Sequence, residues 1–193
     1  VRLWSLKNLQ PREPLRVGSD PLLAFDANVP ALLWTADDTG QIAVIDVLSR
    51  QEIARHAAHL GPIRALVASS RGVCSAGDDG QVMEWQLKDG QIKLAATVVD
   101  VGAAIKQLDV SSDGRWFAAH DVAGKLRVWN RDEPTEPCEI SEVASLGGNV
   151  GKFAFDRTGR KLAVMGPGQS SEIFHLPGFR REERYRPQIA GNG

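Results

Sequence analysis

The chain of 193 residues has only two cysteines, Cys74 and Cys138. Two thiols cannot form a disulfide framework, which excludes a small stapled scaffold. Cys74 falls in a predicted buried strand, where a thiol packs as a small apolar side chain. A reduced, cytoplasmic compartment is expected. No stretch approaches the roughly 18 apolar residues of a membrane-spanning helix. The formal net charge of −1 supplies no field that would gather nucleic acid or acidic lipid. Neither nucleic acid nor membrane is therefore expected as a partner. Helical periodicity is missing too, and 19 glycines and 10 prolines interrupt the chain too often for long helices.

Bond-making chemistry is equally scarce. Gly168-Gln169-Ser170-Ser171-Glu172 lacks the second glycine of a nucleophile elbow. Gly147-Gly148-Asn149-Val150-Gly151-Lys152-Phe153 has the wrong spacing for a phosphate loop and puts Phe153 where a hydroxyl is needed; it reads as a turn between repeats. The histidines are His56, His59, His120 and His175. None stands with carboxylates or thiols at metal-ligand spacing, so neither a metal nor a cofactor is expected. The acidic turns Asp37-Asp38 and Asp78-Asp79 read as turn chemistry rather than cation sites, because tight turns favour Asp for backbone reasons. The mixed-charge run Arg180 to Arg186 reads as a solvated outer strand or a linker.

What the chain does have is a period. Short apolar segments end at Trp4, Ile45, Trp85, Trp129 and Phe174, spaced 41, 40, 44 and 45 residues apart. A period of about 40–45 residues is the length of one four-stranded propeller blade. Each repeat keeps one internal order. An apolar run comes first, as in Ile63-Arg64-Ala65-Leu66, Ile105 to Val110 and Val150 to Phe155. A Ser/Asp/Gly turn follows, then a second strand (Val73 to Ala76, Trp116 to Ala119, Lys161 to Met165). A tight turn leads into the strand that ends in Trp or its substitute. Such runs between turn residues read as antiparallel strands. The first full repeat is the least regular: Leu22 to Phe25, Ala31 to Trp34, Ile42 to Ile45.

The expected fold is all-β, a β-propeller of four-stranded antiparallel blades. About four full blades are expected, with partial blades at the ends. Residues 1–6 read as the third strand of one blade, and further blades span approximately 15–56, 57–99, 100–142 and 143–186. Propellers close with 4–8 blades. The expectation is a fragment of a longer, seven-bladed chain; a closed four-bladed ring is the alternative. Open flanks and strand edges would then invite self-association.

At residues 58–85 the chain resembles the WD-repeat family. The run is Ala58-His59-Leu60-Gly61-Pro62-Ile63, then Ser75-Ala76-Gly77-Asp78-Asp79-Gly80-Gln81-Val82-Met83-Glu84-Trp85. The resemblance implies a hydrogen-bonded structural set of His59, Ser75, Asp79 and Trp85. It departs from the family pattern at Ala58 and Gln86, where the family has Gly and Asp. In the repeat ending at Trp129, Ala123 occupies the turn-Asp position, with Asp121 close by.

The expected function involves no catalysis in this segment, and of two readings the first leads and the second is the alternative. One is a scaffold or sensor that docks a protein or peptide within a larger regulatory protein. The other is a propeller attached to, or covering, the active site of a hydrolase, kinase or NTPase. Candidate partner-binding residues are Arg64, Lys106, Lys152, Asp78 and Asp121. Arg64 and Lys106 hold the same place in consecutive repeats, and Lys152 follows one position later in the next. They form either a basic arc for an acidic ligand or solvated rim residues paired with turn aspartates.

Overall fold

The computed structural model describes residues 14–15, 21–132, 138–139, 151–166, 171–178 and 180–181. These residues form sixteen strands and no helix. Blade 1 comprises β1 (Leu22–Phe25), β2 (Leu32–Ala36), β3 (Gln41–Asp46) and β4 (Gln51–Ala57). Blade 2 comprises β5 (Ile63–Ser69), β6 (Gly72–Gly77), β7 (Gln81–Lys88) and β8 (Gln91–Asp100). Blade 3 comprises β9 (Ile105–Val110), β10 (Trp116–Asp121), β11 (Leu126–Asn130) and β12 (Cys138–Glu139). Blade 4 comprises β13 (Phe153–Phe155), β14 (Lys161–Met165), β15 (Ser171–His175) and β16 (Arg180–Arg181). In every blade consecutive strands are neighbours in one antiparallel sheet. The fold is an all-β propeller of four-stranded antiparallel blades. The expected Trp4 strand and the turn at 147–150 lie outside the described residues, as does most of the Arg180 to Arg186 run.

Neighbouring blades meet through their inner strands, β1 on β5, β5 on β9 and β9 on β13. The sheets are sandwiched, so second strands are apolar on both faces rather than alternating. All six residues of β10 are buried. Outer strands show the opposite: β4 is exposed at six of seven positions.

Two of the three interfaces set small side chains against large ones. Between blades 2 and 3, small Cys74 and Ala76 meet Phe117 and Trp129. Between blades 3 and 4, Ala118 meets Phe153 and Phe174. Between blades 1 and 2, Trp34 and Val44 meet Val73 and Trp85. Close packing tolerates large against small far better than large against large.

Aspartate begins most of the tight turns. Asp37 Oδ1 accepts the backbone N–H of Thr39 and of Gln41, both at 3.0 Å. Asp156 Oδ1 accepts those of Arg160 and Lys161, both at 2.8 Å. A short carboxylate acceptor that closes the turn explains the recurring Asp without any cation.

Candidate functional site

Blade 2 carries a continuous polar chain through its core. Trp85 Nε1–H donates to Ser75 Oγ at 2.8 Å. The Ser75 hydroxyl donates to His59 Nε2 at 2.6 Å. His59 Nδ1–H meets both Asp79 oxygens, at 2.9 and 3.0 Å. Each member satisfies the next, so a fully buried imidazole and hydroxyl carry no desolvation debt. Burial pushes the Asp79 carboxyl up, but the His59 bond and backbone donors outweigh it and hold its pKa below the usual range.

The set also fixes a loop. Asp79 Oδ2 accepts the Leu60 N–H at 3.2 Å. Gly40 O accepts the N–H groups of Ala58 and His59 at 2.8 and 3.0 Å. Gly40 has φ +82, and a Cβ there would lie 2.3 Å from the His59 carbonyl oxygen. Only glycine fits that approach. The β4–β5 loop is thus clamped from both sides, while Leu60 at its tip is 96% exposed.

Register explains why the other blades lack this chain. Thr35, Ser75, Ala119 and Val164 hold one place in their sheets, as do Ile45, Trp85, Trp129 and Phe174. Blade 3 keeps the Trp but offers Ala119 and Ala123 beneath it, and Trp129 Nε1 has no hydrogen-bond partner. That ring stacks on Phe117 instead, with centroids 5.7 Å apart. In blade 1 the Trp34 indole finds a different acceptor, Asp26 Oδ2 at 3.0 Å.

The charged candidates fall at one end of the inner strands. Arg64 and Lys106 are equivalent: each is the extra residue of a β-bulge, between Ile63 and Ala65 and between Ile105 and Gln107. A bulge turns its extra side chain outward, and both are exposed. In blade 4 the counterpart is Gly151. Lys152 lies one residue later, with its carbonyl accepting the Met165 N–H at 2.7 Å, and is exposed. Arg64 is engaged by a bidentate pair, Nε to Asp78 Oδ1 at 2.8 Å and Nη2 to Oδ2 at 2.7 Å. This guanidinium holds the Asp78 carboxyl below its usual range. For Arg64 the structure shows the arrangement in which a rim cation pairs with a turn aspartate. Lys106 and Lys152 have no carboxylate partner among the described residues.

Asp121 is removed from the surface. Its side chain is 1% exposed, and Oδ2 takes Arg127 Nη1 at 2.5 Å. Burial pushes this carboxyl up, yet the Lys125 N–H and Arg127 hold its pKa low. Asp121 occupies the first turn position, so its carboxylate folds back under the turn. It is a structural acid and not part of a docking surface.

His120 is buried, and its Nε2 has no hydrogen-bond partner. Burial, then the Lys106 charge, push its pKa below the ordinary value, while Asp121 opposes them. The sign follows. The unfolded imidazole, near pH 6.5, takes a proton more readily than the folded one, so the His120 contribution is complete above that pH. It is lost as pH falls from about 6.5 toward the lowered folded value. Thermal melts from pH 7.5 to 5 are expected to show this decline, and His120→Phe to flatten it. The carboxylates whose pKa is lowered act below about pH 4, whereas burial raises that of Asp109 above the ordinary value.

Several pairings had no signal in the sequence. Arg131 Nη1 reaches Glu84 Oε2 across blades 2 and 3, with Glu84 1% exposed. His56 of blade 1 lies on Trp85 of blade 2, with centroids 5.2 Å apart. Arg71 joins Asp132 of blade 3 at 3.1 Å. All three cross between blades, where repeat alignment gives no pairing. Burial, then the Glu84 charge, push the Cys74 thiol far up, which makes it inert.

No protein-family model matches the chain, and no curated protein matches it. A solved structure does: a chain in the "Crystal Structure of Mitotic Checkpoint Complex" has a TM-score of 0.78 at 13% identity, covering 95% of this chain and 57% of that one. This likeness, with the four antiparallel sheets, defines the chain as a β-propeller. It spans a little over half the length of the chain it matches.

Proposed function

We propose that this segment is a protein- or peptide-binding module of the WD-repeat type, working as a scaffold or sensor from the face where the β4–β5, β6–β7 and β10–β11 turns gather. The single observation behind this reading is Leu60, 96% exposed on a loop fixed by Asp79 and Gly40. A rigid apolar tip loses little entropy when it docks, which is what an interface anchor requires. Val122, 53% exposed beside the Lys106 bulge, supplies a second apolar point. Lys106 and Lys152 add two positive charges. The ligand chemistry is an extended segment with apolar side chains and an acidic group.

The titratable groups support binding over chemistry. His59 and Asp79 are consumed by the core, Asp121 by Arg127 and Asp78 by Arg64. The similar structure is titled as a complex, which is in keeping with a protein-binding role. A cytoplasmic setting is part of the proposal, in keeping with the free, buried Cys74 thiol.

The test is selection from a random peptide library against the immobilised chain. Acidic peptides with apolar anchors should emerge. Leu60→Ser should weaken them at least tenfold with an unchanged melting temperature. Lys106→Glu with Lys152→Glu should weaken them further and remove the salt dependence. Selected peptides that bind all variants equally would refute the reading.

A further inference from the structure

We propose that Asp89-Gly90, the turn between β7 and β8, is a site of covalent modification at which the folded chain converts aspartate to isoaspartate. The sequence holds three Asp-Gly steps: Asp79-Gly80, Asp89-Gly90 and Asp113-Gly114. Glycine has no side chain to shield its own amide nitrogen, so all three are open to this chemistry in an unfolded chain. In the folded chain the reaction needs three further things. The carboxyl must be free to rotate, the glycine N–H must be free of a partner, and the peptide between them must have room to turn.

The fold withholds all three at two of the steps. The Asp79 carboxylate is held by His59 and by the N–H groups of Leu60 and Gln81. Gly80 N–H donates to Gly77 O at 3.2 Å, and a Cβ at Gly80 would lie 3.0 Å from the Ala103 nitrogen. Asp113 Oδ1 accepts the Ser111 hydroxyl at 2.6 Å and the Arg115 N–H at 3.0 Å. Gly114 N–H donates to Ser111 O at 2.8 Å, and a Cβ there would lie 2.9 Å from Ser69 Oγ.

Asp89-Gly90 differs on every count. The Asp89 side chain is 92% exposed, and Lys93 Nζ stands 3.7 Å away, too far for a hydrogen bond. Gly90 N–H has no hydrogen-bond partner among the described residues. A Cβ at Gly90 would meet nothing within 4 Å. Both residues are left-handed, with φ +52 and +69, and they form the two-residue hairpin turn between the paired Lys88 and Gln91.

The reaction is self-contained. The Gly90 nitrogen bonds to Asp89 Cγ, and the amide proton leaves with the carboxyl hydroxyl as water. Water then cleaves the bond from the Asp89 main-chain carbonyl carbon to the Gly90 nitrogen. The chain now runs through Cγ and carries a free α-carboxylate, with no net change in composition. The turn gains one backbone carbon beside the Lys88–Gln91 and Leu87–Ile92 pairs.

Ageing the full chain at neutral pH and 37 °C, with peptide mapping, tests this. Isoaspartyl peptides elute apart from aspartyl ones at equal mass, and endoproteinase Asp-N does not cut before isoaspartate. Isoaspartate should accumulate at Asp89 about tenfold faster, or more, than at Asp79 or Asp113, which react only through local opening. In urea the three sites should react at similar rates. Mapping also resolves Asn192-Gly193, which lies outside the described residues. Asp89→Glu should abolish the signal, because its ring would need one more atom, and a melting curve establishes that this variant folds. Equal rates at the three sites in the folded chain, or a lead for Asp89 that persists undiminished in urea, would overturn the proposal.

Discussion

Ser75→Ala is expected to destabilise the chain by about 2–5 kcal/mol, although it removes a single oxygen. The hydroxyl is the middle of a relay, accepting from Trp85 and donating to His59. Its loss leaves an indole N–H and an imidazole nitrogen buried together, each costing about 1–3 kcal/mol. No water replaces it readily, since Ser75 is fully buried. The converse substitution has a much smaller effect. Ala119→Ser places a hydroxyl beneath the unpartnered Trp129 indole, but blade 3 has no histidine at the position of His59 to accept its proton. A gain of at most about 1 kcal/mol is expected from one new hydrogen bond. Urea melts of the two variants give the comparison. Amide exchange localises it, because the Leu60 and Gln81 N–H groups both bond Asp79. Their protection should fall in His59→Ala. The relay also has a pH window. The Asp79 pKa is lowered in the folded chain, so its contribution is present above the usual carboxylate range and is lost as pH falls through the lowered value. Equal melts for Ser75→Ala and wild type would show that the relay carries no stability.

The fold was legible because propeller blades repeat. Spacing alone aligned Ile45, Trp85, Trp129 and Phe174, and the strand register puts these four in one place. The polar relay was legible in blade 2 because its four residue types occur together there and nowhere else. The fate of Asp121 was not legible. First and third turn positions lie two residues apart in sequence, yet one carboxylate turns under the turn and the other reaches the preceding loop. Contacts between blades were also hidden. Glu84 and Arg131 are 47 residues apart, and nothing in either segment marks a buried ion pair. Exposure was equally unreadable: Leu60 stands in a loop where an apolar residue suggests burial, and only the clamped backbone shows it facing water.

Arg131→Met is expected to cost about 3 kcal/mol, at the lower end of the range for breaking a buried ion pair. Glu84 lies in β7 with its side chain 1% exposed, while Arg131 follows β11 and is 24% exposed. Removing the arginine leaves a carboxylate between blades 2 and 3 without its counter-charge. The carboxylate must then take up a proton or draw in water, and either opens the interface. The arginine is partly solvated, which keeps the cost from the upper end of the range. Converting both partners gives the sharper result. Glu84→Leu with Arg131→Met should recover most of the loss, because a buried pair replaced by apolar side chains is close to neutral. Cys74 reports on the same seam. It pairs with Glu84 across β6 and β7 and is fully buried. Burial and the Glu84 charge keep the thiol protonated, so a thiol reagent modifies it only when the blades part. In a Cys138→Ser background, labelling should be slow in the parent chain. It should be about a hundredfold faster in Arg131→Met, as a loss of roughly 3 kcal/mol predicts when local opening limits the reaction. It should slow again in the double variant. Equal labelling rates in all three chains would mean that the pair does not hold blades 2 and 3 together.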